Sequence, residues 1–233
     1  TGAFEMLDLP ALARETKKRG IKLCVDNTWG SGFLFQPLKH GADVSMIAGT
    51  KHIGGHSDVL LGAVTTTEEA WPAVHDYHSA FGICIGGDDA YLALRGVRTM
   101  AVRLPVHAET TMKICKWADT RPEIANILWP AWHKFPGYEL WKRDFKGACG
   151  LFGFEFQPGT PQDKVDRFID ALDNFQIGAS WGGYESLVMI TNIPAMRTVT
   201  DWSKRGPIVR FHAGLEDPAD LIADLEQALE QVR

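Results

Sequence analysis

The sequence is poor in the features that would take it out of ordinary aqueous metabolism. It has four cysteines in 233 residues, at positions 24, 84, 115 and 149. None forms a C-x-x-C pair and no histidine stands at zinc-ligand spacing, so reduced thiols are expected, with neither a disulfide framework nor a metal site. No apolar run approaches the roughly 18 residues of a membrane span. The opening residues, TGAFEMLDLP, lack the basic start and apolar core of a secretion signal. They also lack an initiating methionine, and the chain is expected to begin partway into a longer protein. Lysine and arginine number 24 against 29 acidic residues, for a net charge of -5. That balance supplies no basic stripe for nucleic acid. There is no internal repeat, low-complexity stretch or disordered linker. What is present, 45% hydrophobic and 23% charged residues, suits one large domain or two modest ones.

The pattern along the chain is α/β at first. DLPALARETKKR, residues 8–19, opens with an Asp cap and an early Pro and stops at Gly20, which predicts a helix. IKLCVDNT, ADVSMIAGTK and VLLGAVTT follow as short apolar runs that read as strands of a buried sheet, with Cys24 as a buried small hydrophobe. Two of these runs end in polar residues, Asp26-Asn27-Thr28 and Thr50-Lys51, at the carboxyl ends where open α/β sheets collect ligands. From about Asp88 to Trp117 the pattern is helical and carries Arg95, Arg98 and Arg103. A smaller α+β layer is expected beyond it. Its predicted parts are a strand at 151–156, a helix at 163–175 with a stripe of Val165, Phe168, Ile169, Leu172 and Phe175, strands at 185–191 and 207–212, and a closing helix from Ala219.

Lys51 and Asp26 carry the chemical interest. A lysine at the end of a buried strand is desolvated, which lowers its pKa and makes it a nucleophile toward aldehydes. A nearby aspartate can keep a pyridine nitrogen protonated. Position alone does not decide the matter, because strand-end lysines and aspartates are more commonly solvated or capping. Arg210 lies in the strand-like run PIVRFHAG, where an unpaired charge is costly and a specific anion is expected. His52 and His56 stand four apart, but Gly54 and Gly55 between them point to a loop rather than a metal-binding helix.

The words around these residues resemble the Cys/Met-metabolism family of pyridoxal-phosphate enzymes. They are Val25-Asp26-Asn27-Thr28-Trp29, Pro37-Leu38-Lys39-His40-Gly41-Ala42-Asp43 and Thr50-Lys51-His52-Ile53-Gly54-Gly55-His56-Ser57-Asp58. Leu94 to Thr99, Ser180 to Ser186 and Arg210 to Asp217 continue the likeness in order, over essentially the whole chain. The resemblance implies the C-terminal part of an aspartate-aminotransferase-like (fold type I) domain over residues 1–97. A connecting helix and a smaller α+β domain would then fill 98–233. It implies that Lys51 carries pyridoxal 5'-phosphate and later moves a proton between substrate Cα and the leaving sulfur. Asp26 would pair with the pyridine nitrogen, Thr50 with the phosphate, and Arg210 with the substrate carboxylate, with Ser180 beside both Lys51 and that carboxylate. The family frequently has Ser where this chain has Ala48, so the phosphate is expected to lean on Thr50 and on groups from elsewhere.

Trp181, Tyr184 and the segment Trp141-Lys142-Arg143-Asp144-Phe145 are most similar to bacterial cystathionine β-lyases. On that likeness Trp181 and Tyr184 are substrate-side residues; read from the residue alone, Trp181 is equally well a plain core tryptophan. The implied protein is a cytoplasmic homotetramer of methionine biosynthesis that cleaves L-cystathionine to homocysteine, pyruvate and ammonia. Two other readings stay open: γ-elimination or γ-replacement chemistry in the same family, and a truncated, non-catalytic chain. The resemblance also implies an N-terminal part with a glycine-containing phosphate loop and an aromatic that stacks on the cofactor ring. None of these motifs occurs in the sequence.

Overall fold

A computed structural model describes residues 2–233. Helix α1 (Leu9–Lys18) starts where the Asp8 carboxylate accepts the Ala11 N–H at 3.2 Å, and the chain leaves it through Gly20 at φ +64°. A three-stranded sheet follows: β1 (Cys24–Asp26) is parallel to β2 (Val44–Ala48), which is antiparallel to β3 (Gly62–Thr66). The sheet is not buried as its apolar runs suggest. Asp26, Met46 and Val64 lie side by side across it, with Met46 40% and Val64 51% exposed. Cys24, expected inside, is exposed as well. Strand alternation places it on the same uncovered face as Asp26.

Helix α2 (Trp71–Ala80) has no buried residue at all, and Trp71, Tyr77 and Phe81 are exposed around it. Helix α3 (Gly87–Ala118) then runs for 32 residues with Pro105 inside it. Its first half buries only Ala93 and Gly96, while Tyr91, Leu94 and Val97 face outward. From Arg103 onward it enters the main core through Leu104, His107, Ile114 and Cys115.

The second sheet has five strands in the order β4 (Ile124–Leu128), β5 (Leu151–Phe156), β8 (Ile208–His212), β7 (Leu187–Thr191) and β6 (Gln176–Ile177). Its alternation assigns its two faces different work. Phe152, Phe154, Phe156, Val209 and Phe211 point one way. There Phe211 meets Phe168 of helix α5 (Gln162–Asp170) and Phe175, with ring centroids 6.3 and 5.3 Å away. Arg210 and His212 share the opposite face, in register with Gly153 and Leu151. Helix α4 (Tyr138–Asp144) and helix α6 (Pro218–Leu229) complete the order, the latter burying Leu221, Leu225 and Leu229.

The helix expected over 163–175 stops at Asp170 instead. Asp224, buried on α6, takes the backbone N–H groups of Asp173, Asn174 and Phe175 at 2.9, 2.8 and 3.3 Å. Bonds to a side chain on another helix replace the ladder that would have continued α5.

Candidate active site

Lys51 does not end a strand. It is the second residue of a π-helical turn, Thr50–Gly54, set just beyond β2. The turn closes through the Gly54 N–H to Gly49 O at 2.8 Å, and Gly55 at φ +71° ends it. Such wide turns are uncommon and recur at functional positions. Two contacts hold this one against α3. Gly96 lies so close that a Cβ there would stand 2.0 Å from Ile53 O and 2.2 Å from Gly54 O. Arg103, 4% exposed, donates from Nη2 to His52 O and to Gly96 O, each at 2.8 Å, and from Nε to Thr99 Oγ1 at 3.1 Å. Nothing in the spacing of Arg95, Arg98 and Arg103 distinguishes the one that turns inward.

The Lys51 amine donates to Ser180 Oγ at 2.9 Å and lies 5.7 Å from the centre of the Trp181 ring. Arg210 reaches the strap that carries Ser180, residues 179–186, from β8, donating to Ala179 O at 2.7 Å and Ser180 O at 3.4 Å. No carboxylate lies within ion-pair distance of Arg210 among the described residues. Burial first, and then the Arg210 charge, hold the Lys51 pKa below its ordinary value. Burial lowers that of Arg210 too. Gly182, at φ +84°, lets the strap approach: a Cβ there would be 3.1 Å from Lys51 Cβ.

Lys51, the adjacent pair Ser180 and Trp181, and Arg210 are thus brought together from three distant parts of the sequence. Asp26 stands apart at the end of β1. Its Oδ1 accepts from Thr28 N at 2.9 Å and Thr28 Oγ1 at 2.6 Å, and Thr28 Oγ1 in turn accepts the Ala48 N–H at 2.9 Å. Thr28 therefore aims the carboxylate and ties the ends of β1 and β2, a role its place in the Asp-Asn-Thr word hints at but does not reveal. The Thr50 hydroxyl is engaged with Leu61, accepting from its N–H at 3.1 Å and donating to its carbonyl at 3.3 Å. Tyr184 is exposed and its hydroxyl pKa is raised by a hydrogen bond to Glu185. Glu185 also takes the Ser57 hydroxyl at 2.6 Å, joining the Lys51 loop to the 179–186 strap. The two histidines four apart diverge: His52 is fully buried, whereas His56 is exposed and bonded to Gly54 O.

Residues 2–230 match the family model for Cys/Met metabolism PLP-dependent enzymes. The chain belongs to that family. Over 230 residues it is 47% identical to a cystathionine beta-lyase of Bordetella avium, covering 98% of this chain and 58% of that protein. It is also 37% identical over 227 residues to an L-alanine/L-glutamate racemase of Wolbachia pipientis wMel, covering 97% of this chain and 56% of the relative. Among solved structures, a cystathionine gamma synthase from Xanthomonas oryzae pv. oryzae in complex with cystathionine superposes with a TM-score of 0.86 at 33% identity. That match covers 97% of this chain and 60% of the other. The architecture is therefore that of the fold type I pyridoxal-phosphate enzymes. This family member spans less than two thirds of the length of these relatives.

Proposed function

We propose that the protein is a pyridoxal 5'-phosphate-dependent carbon–sulfur lyase that cleaves L-cystathionine by α,β-elimination. The observation that carries this reading is the strap at Ser180, where the Lys51 amine and the Arg210 guanidinium meet. The donor set suits the cofactor: an amine of lowered pKa at Lys51, a carboxylate at Asp26 whose bonds to Thr28 use only Oδ1, and a hydroxyl at Thr50. Thr50's long donation to Leu61 is the bond an anionic group would replace. Lys51 would hold the cofactor's carbonyl carbon, Asp26 its ring nitrogen and Thr50 its phosphate. When bound, the cofactor supplies an electron sink for the charge left on Cα.

The remaining work falls to the chain's own residues. Arg210 fixes the substrate carboxylate with two parallel N–H bonds, exchanging its present carbonyl partners for an anion. That orients the Cα–H bond toward Lys51, whose amine, kept unprotonated more readily than a free lysine, takes the proton at Nζ. Ser180 holds Nζ in place through Oγ. Lys51 then returns the proton to the departing sulfur, and the sum is cystathionine and water to homocysteine, pyruvate and ammonia. Trp181 forms a wall beside Nζ that limits access of water.

The uncovered face at Asp26, Met46 and Val64, with an α2 that buries nothing, supports assembly with further polypeptide. We take this to be the rest of a longer protein, in a cytoplasmic homotetramer. We place the domain boundary near residue 97, a few residues ahead of Arg103, where α3 enters the main core. The deciding experiment supplies the full-length protein with L-cystathionine and identifies the oxo acid formed. Pyruvate supports the reading. A dominant yield of 2-oxobutyrate would place the protein in the γ branch, which the likeness to the Xanthomonas enzyme keeps open. Borohydride reduction followed by peptide mapping tests the attachment, and an adduct on any residue other than Lys51 would sink it.

A further inference from the structure

Behind the Ser180 strap lie three histidines that the proposed chemistry does not use. His52 comes from the π-helical turn, His107 from α3 and His212 from β8, and they are 0, 0 and 1% exposed. The rings follow one another, with centroids 6.4 Å apart from His52 to His107 and 5.1 Å from His107 to His212. At one end His52 packs edge-on against Trp181 at 5.3 Å, and at the other His212 Nε2 donates to Gly183 O at 3.1 Å. Both nitrogens of His52 and of His107, and Nδ1 of His212, have no protein partner among the described residues. Buried polar atoms in native proteins are rarely left so, and each case asks for a reason.

The reason lies in what the rings join. His52 directly follows Lys51, His212 lies two residues beyond Arg210 on the same strand face, and His107 fills the space between them. The layer is tight: a Cβ on Gly150 would stand 3.1 Å from both His107 Cβ and His212 Cε1, and one on Gly182 3.2 Å from His52 Nδ1. We propose that His52, His107 and His212 are positioning residues, a stack of uncharged rings that sets the spacing between the Lys51 amine and the Arg210 guanidinium. This rests on the lyase reading, since it gives those two groups their roles. The charged groups acting on the stack are Arg103 of α3, Lys51 of the turn, Arg210 of β8 and Glu185 of the strap. Three of the four are cations, so the stack keeps its spacing only while it takes up no proton.

His107 is the member to change, because its ring lies between the other two and, unlike His52 and His212, it does not stand beside Lys51 or Arg210 in the chain. The full-length protein, stripped of cofactor, is labelled competitively with acetic anhydride across a range of pH, and the titration of Lys51 is read by mass spectrometry. His107→Ala should let water in and the strap drift, raising the Lys51 pKa by about half a unit or more. His107→Phe keeps a ring of similar span and should hold the wild-type titration. In the loaded protein kcat should fall about tenfold in the first variant and recover to within about threefold in the second. An unchanged Lys51 titration in His107→Ala, or equal displacement in both variants, would overturn the proposal. If His107→Ala does not fold, His107→Val removes the ring as well and is read in the same way. Wild-type protein that attaches no cofactor at Lys51 would defeat the lyase reading alone, because acetylation needs no cofactor.

Discussion

Gly96→Ala puts two well-measured effects in opposition. Within a helix, alanine is favoured over glycine by about 1 kcal/mol, so a reading of α3 by propensity alone expects a more stable protein. The added Cβ, however, would meet Ile53 O at 2.0 Å, Gly54 O at 2.2 Å and Gly54 C at 2.9 Å. These are backbone atoms of the turn that bears Lys51, and no side-chain rotation can clear them. Relief needs α3 and the turn to part by an ångström or more, which stretches the Arg103 bond to His52 O beyond useful length. Overpacking of this kind costs about 1–3 kcal/mol, and a buried charge-assisted hydrogen bond adds about 1.5–3 kcal/mol. The net expectation is destabilisation by about 1.5–5 kcal/mol, with weaker retention of cofactor at Lys51. Urea unfolding of the full-length protein measures the first and borohydride trapping the second. Gly87→Ala is the control, since a Cβ there meets nothing within 4 Å, and it should be neutral or slightly stabilising. A Gly96→Ala protein as stable as wild type would show that the turn is not pinned by this contact.

Asp224→Ala leaves three backbone N–H groups without their acceptor and should cost about 3–5 kcal/mol; a change below about 1 kcal/mol in urea unfolding would mean that water replaces the carboxylate. Burial lowers the pKa of His107 to about 3 and of His212 to about 4. A depressed folded-state pKa gives stability that is complete above 6.5 and is lost as pH falls toward those values. Burial holds the His52 pKa well below its ordinary value as well, so lowering pH from 7 to 5.5 should remove roughly 1 kcal/mol for each of the three rings, and His107→Phe should cut the loss by about a third. An unfolding free energy that is flat over that interval would refute the neutral-ring picture. Arg210→Ala should raise KM about 10- to 100-fold with a smaller change in kcat, as expected for a lost pair of charged hydrogen bonds; an unchanged KM would remove Arg210 from the carboxylate site.

Much of this was legible in the sequence because the signals were local. The Asp8 cap, the Gly20 stop and the apolar stripes of α5 and α6 follow from short-range periodicity, and the words around Asp26, Lys51, Ser180 and Arg210 carried the family. What escaped was non-local. The strand β4 has one bulged antiparallel partner and no alternation to announce it. Helix α2 buries nothing, so it carries no stripe. The end of α5 is set by a carboxylate 51 residues from the first N–H it accepts. The inward turn of Arg103 and the meeting of three histidines depend on which helix face lies against the turn, which the fold alone decides. Cys24 departs from its apolar surroundings because an apolar strand need not be a covered one.

The long helix α3 has a consequence for how the molecule loosens. At about 1.5 Å per residue its 32 residues extend about 48 Å, yet only the part from Arg103 onward is anchored in the main core. Pro105 cannot donate to the carbonyl of Ala101, so the ladder is interrupted just where the surroundings change. Amide hydrogens near Tyr91 should therefore exchange with solvent through fraying, while those near Ile114 exchange only when the whole core opens. The Lys51 turn is attached between these regimes, at Gly96 and Arg103. Its rigidity is borrowed from one end of a rod whose other end is free to breathe, and whatever covers Tyr91 and Leu94 would be felt at the turn without touching it.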